Sequence, residues 1–211
     1  MQSLAAICRV QGYSNRKTAG GLKYRQLPSG FEVHGRALKE KTVTISFRVS
    51  ESAFKALQDE AKKHNISLNT LVNQMFVSFA EYDRYLARFG LVKVGMPTFK
   101  KIMNAATDSA LVEAGRLAGS SLPESFIMAK RGELSLENAL EYLRLSSQAN
   151  MYDYSEVSRS GTTSVTLTHD LGAKGSIFIA NYAEAIFKSA GKSVKITQYP
   201  DSVTIEVGAD G

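Results

Sequence analysis

Residues 42–49 alternate strictly. Val43, Ile45, Phe47 and Val49 stand between Thr42, Thr44, Ser46 and Arg48, a period of two that predicts a β-strand with one apolar face. The period then changes. Ser50 is a helix N-cap candidate, with Glu51 in the first turn and Ala53 where a capping box would carry glutamate. Phe54, Leu57 and Ala61 recur at helical spacing to about His64, and Asn65 suits the left-handed residue beyond a helix end. Ser67 opens a second helix. Its Leu68, Leu71, Val72, Met75, Phe76 and Phe79 form a wide apolar stripe, and it is expected to run to about Arg88, ahead of Gly90. Phe54, Leu57, Leu71, Val72, Met75 and Phe76 are expected to be core.

Beyond Pro97 the pattern is helical again. Residues 98–118 predict one helix, closed by Gly119, Ser120 and Ser121. Residues 123–131 predict a short helix ending at Gly132. Ser135 caps a helix to about Gln148, with Leu136, Leu140 and Leu143 on one face. Residues 149–161 are polar and rich in turn formers, which predicts a linker. Val165 and Leu167 then alternate with hydroxyl residues as in a strand, and residues 173–190 read as a helix stopped by Gly191. Val194 and Ile196 mark a strand, Pro200 and Asp201 a turn, and Val203, Ile205 and Val207 a final strand. The expected fold class is α+β in four parts. These are an arm (1–41), a strand-helix-helix domain (42–90), a helical middle segment (97–148) and a small C-terminal β-α-β-β domain (162–208).

Composition adds little until charge is mapped. The chain has 211 residues, 44% hydrophobic and 22% charged, as expected of a globular protein. One cysteine, Cys8, precludes an intramolecular disulfide framework and fits a reducing, cytoplasmic setting. With three histidines, His34, His64 and His169, no metal site is expected, and no cofactor. No apolar run is long enough to span a bilayer, Met1 to Val10 does not read as a secretory signal, and no membrane partner is expected. The net charge of +6 lies entirely in residues 1–41. These carry eight basic side chains against Glu32 and Glu40, while the remainder balances. A basic arm on a neutral body suits a polyanion. Within that arm, residues 1–30 read as flexible and 31–34 as a short strand.

The strand at 42–49 poses a physical question. Peptide groups need hydrogen-bond partners, and no good partner strand follows for more than a hundred residues. The simplest solution is a homodimer in which two copies of the strand pair antiparallel across a twofold axis. Val43, Ile45, Phe47 and Val49 then point into a shared core under the helices, and Thr44, Ser46 and Arg48 point outward. Such a two-stranded ribbon fits the DNA major groove, where arginine forks onto guanine and hydroxyls read several base edges. The helix start at Ser67, Leu68 and Asn69 offers backbone N–H groups and a positive dipole end to a phosphate. Lys41, just ahead of the strand, is a further phosphate candidate.

The run TVTISFRVSESAFKALQDEAKKHNISLNTLVNQMFVSFAEY resembles the ribbon-helix-helix family of DNA-binding transcriptional regulators. The shared pattern is an alternating strand, a Ser-Glu helix start, a turn with Asn, and a serine opening the second helix. The resemblance covers about 45 residues. It implies an intertwined dimer on double-stranded DNA, base contacts from Thr44, Ser46 and Arg48, and phosphate contacts from the helix start at Ser67. The chain departs from the pattern in carrying a basic arm of about 40 residues ahead of the strand, which adds phosphate or minor-groove contacts or is an extension without a role. Higher oligomers on DNA, and an effector or protein partner for the C-terminal half, are compatible with this plan. An antitoxin or plasmid-partition protein, its helical segment holding a protein partner, is the alternative. His169-Asp170 ahead of Gly172, Lys174, Gly175 and Ser176 reads first as a structural turn. Its spacing is not that of a P-loop, and no catalytic constellation surrounds it, so an enzyme is not expected.

Overall fold

The computed structural model describes residues 42–92, 94–147, 152–159 and 161–208. The arm 1–41 lies outside the described residues, and with it Lys41, Cys8, His34 and the expected strand at 31–34. The chain forms two compact units, with the division between Asn73 and Gln74.

In the first unit, residues 42–49 are followed by α1 (Glu51–Lys63) and the start of α2 (Leu68–Ser78). Ser50 caps α1 as its sequence predicts, accepting the Ala53 N–H at 3.3 Å. At the other end Asn65 takes a left-handed φ of 53°. The Asn65 N–H donates to Lys62 O at 3.1 Å and the Ile66 N–H to Ala61 O at 3.0 Å, the paired bonds of a Schellman turn. Ser67 accepts the Thr70 N–H at 3.0 Å and so starts α2.

The second unit begins inside that helical stretch. After α2 come a π-helical turn (Phe79–Asp83) and α3 (Arg84–Leu86). Tyr82 and Tyr85 from these turns pack tilted or edge-on against Phe126, with ring centroids 5.3 and 5.2 Å away. Lys130 is nearly buried and fully bonded. Its ammonium donates to the Glu81 carbonyl at 3.1 Å, the Glu81 carboxylate at 2.7 Å and Glu141 at 3.2 Å. It thereby ties the π turn to the helices beneath. Burial alone would push the Glu141 carboxyl up, but hydrogen bonding by Arg131 and the charge of Lys130 outweigh it and hold it below its usual range.

Two helices follow where the sequence places one and a fragment. α4 (Met96–Ala105) ends at Ala106, which is extended, and Thr107 then caps α5 (Asp108–Arg131) by accepting the Ala110 N–H at 3.2 Å. The helix expected to close at Gly119–Ser121 instead runs straight through, with Pro123 inside it. The reason lies in the packing against α7 (Gly172–Ser189). A Cβ on Gly115 would sit 2.5 Å from Phe178 O, and one on Gly119 would sit 2.8 Å from the Ala185 Cβ and closer still to Tyr182 O. Glycines four apart let the two backbones touch. Ser120 and Ser121 turn their hydroxyls back onto Leu117 O at 3.3 and 2.8 Å, which lets them stay within the helix. α6 (Leu136–Ser147) follows, capped by Ser135, which accepts the Asn138 N–H at 3.2 Å.

The C-terminal part is β-β-α-β-β rather than β-α-β-β. β1 (Asp153–Arg159) occupies most of the stretch read as a linker, because it is an edge strand and nearly all its side chains are exposed. Its polar sequence carries no strong alternation, and its ladder to β2 (Thr162–Thr168) supplies the order instead. β3 (Lys195–Tyr199) and β4 (Ser202–Gly208) complete an antiparallel sheet in the order β1-β2-β4-β3. Val165, Leu167, Val203, Ile205 and Val207 are buried, in one core cluster with Ile179, Ile186 and Phe187 of α7. Each such side chain contributes about 1.5–3 kcal/mol. The other sheet face carries hydroxyls, with Thr166 and Thr204 paired at 3.3 Å.

Gly119→Ala is expected to destabilise the fold by about 1–3 kcal/mol through overpacking, despite alanine's better helix propensity. Gly90→Ala, where a Cβ meets nothing within 4 Å, is expected to change stability little. Urea unfolding of the two variants measures the contrast.

Candidate nucleic-acid interface

All three expected base-reading residues, Thr44, Ser46 and Arg48, lie on an exposed segment. The apolar alternates are exposed as well: Val43 is 83%, Ile45 69%, Phe47 55% and Val49 46% accessible. Among the described residues, 42–49 pair with no strand. The helices behind them are also open. α2 buries none of its residues; of the stripe expected as core, Phe54 and Phe76 are exposed while Leu57, Leu71, Val72 and Met75 are half-buried, and Phe79 beyond it is exposed. A face this apolar is costly to leave in water.

Ser67 and Asn69 are exposed and Leu68 half-buried at the start of α2. Ser67 uses its hydroxyl on Thr70, both N–H and Oγ1, the latter at 2.8 Å. The Leu68 and Asn69 N–H groups, at the first two helical positions, bond no acceptor among the described residues. Two N–H groups at the positive end of an 11-residue helix form the usual seat for an anion. Residues 42–49, predicted as a strand from their alternation, form none in this single chain; their side chains and this helix start come from one short stretch of chain, which includes α1 and the Schellman turn at Asn65.

The second candidate, at His169, resolves into a structural clip. Its Nδ1 accepts the Leu171 N–H at 3.2 Å, which leaves the proton on Nε2 to donate to Ser176 Oγ at 3.0 Å. The Ser176 hydroxyl in turn donates a hydrogen bond to Tyr199 O, and the His169 N–H donates to Asp201 O at 2.8 Å. The chain of donors therefore runs from histidine to serine to carbonyl. An activated serine requires the opposite direction, hydroxyl donating to imidazole. Together these bonds pin the end of β2, the start of α7 and the β3–β4 turn. Gly175 lies against the ring, a Cβ there falling 3.3 Å from His169 Cε1. Sequence reasoning did not identify this clip, nor the Lys130 cluster. The only signals were His169 ahead of a small-residue helix start, and a basic pair at a helix end.

Among the described residues no three His, Cys, Asp or Glu side chains converge as metal ligands, and no helix is long and apolar enough to cross a membrane. No protein-family model matches the chain, and no curated protein matches it.

Burial lowers the His169 pKa below its ordinary 6.5, against the opposing charges of Asp201 and Asp170. The unfolded chain therefore takes up that proton first as pH falls. The clip's stabilisation is full above about pH 6.5 and declines from there to the lower folded value. His169→Gln is expected to cost about 1–3 kcal/mol at neutral pH through lost hydrogen bonds and to flatten the loss of stability between neutral and mildly acidic pH. Urea titrations at several pH values check both.

Proposed function

We propose that the chain is a sequence-specific DNA-binding transcriptional regulator that acts as a homodimer. Two copies of residues 42–49 pair as an antiparallel ribbon. Val43, Ile45, Phe47 and Val49 close its inner side together with the open stripes of α1 and α2. Thr44, Ser46 and Arg48 enter the major groove. Ser67, Leu68 and Asn69, joined by Lys41, hold the flanking phosphates. The second unit sets the assembly or receives an effector or protein partner.

One observation carries this reading. An alternating segment with an exposed apolar face and no strand partner among the described residues leads directly into two capped helices whose own apolar stripes are only partly covered, with Phe54 and Phe76 exposed. A second copy answers all three at once. The N–H groups free at the start of α2 and the net charge of +6 concentrated in the arm support an anionic partner.

Selection of bound sequences from a random DNA pool tests the reading, with light scattering on the same sample. Enrichment of a site with twofold symmetry, bound by an even number of chains, is expected. A flat pool overturns it. Arg48→Ala is expected to cost on the order of 1–3 kcal/mol on the selected site and to relax base preference at one position. Equal weakening on all sequences would make Arg48 a phosphate contact. Phe47→Asp is expected to abolish the dimer, and an unchanged mass would contradict the ribbon.

A further inference from the structure

We draw no further inference here: the strongest candidate, the open groove between α5 and α7 in the second unit, is bordered by Val112, Arg116 and Ala185 but carries nothing, because nothing in the structure shows what covers it.

Discussion

An extended peptide with one greasy face has two unmet needs, hydrogen bonds along its edges and cover for its side chains. Residues 42–49 carry such a face. Their apolar alternates are between 46% and 83% exposed, and no described strand lies beside them. α1 and α2 supply well-made ends, with serine caps at both starts and a Schellman turn between them. Their apolar side chains are only partly covered, α1 burying Ala61 and α2 none of its residues. The helix ends are thus well formed by local hydrogen bonds, so the exposure of the apolar side chains does not come from poor helix formation.

The second unit solves its packing within one chain. Its sheet buries valines, leucine and isoleucine in one core with α7, and glycines in α5 let that helix lie directly on the backbone of α7. Polar groups inside are consistently paired. Lys130 spends its donors on Glu81 and Glu141, Tyr182 donates to Tyr142 at 3.0 Å, and among the described residues no buried side-chain polar atom lacks a partner. Buried polar networks that are fully satisfied favour one arrangement over its neighbours. The His169 clip belongs to this class, since its directional hydrogen bonds fix where β2, α7 and the β3–β4 turn meet.

Local chemistry was legible in the sequence where it acts alone. Ser50, Asn65, Ser67 and Ser135 mark helix ends that exist, and the alternation at Val203, Ile205 and Val207 marks a strand that exists. Reading failed where a partner element decides. Gly119 resembles a stop signal but is a contact point for α7, and the true break, at the Thr107 cap, falls inside residues 98–118, whose pattern reads as one helix. β1 is ordered by its ladder to β2 and not by its own period, so a polar edge strand passed for a linker. At the candidate interface the helix caps at Ser50 and Ser67 were legible because capping is local, whereas the alternation at 42–49 forms no strand in this single chain. The donor chain through His169, Ser176 and Tyr199 is not local either, since it joins residues far apart in sequence.

The pairing of residues 42–49 is tested most directly by amide hydrogen exchange at protein concentrations where light scattering reports a dimer. The account predicts slow exchange at amides within 42–49, lost together with the dimer on dilution. Exchange at unprotected rates in a sample that is fully dimeric would contradict it.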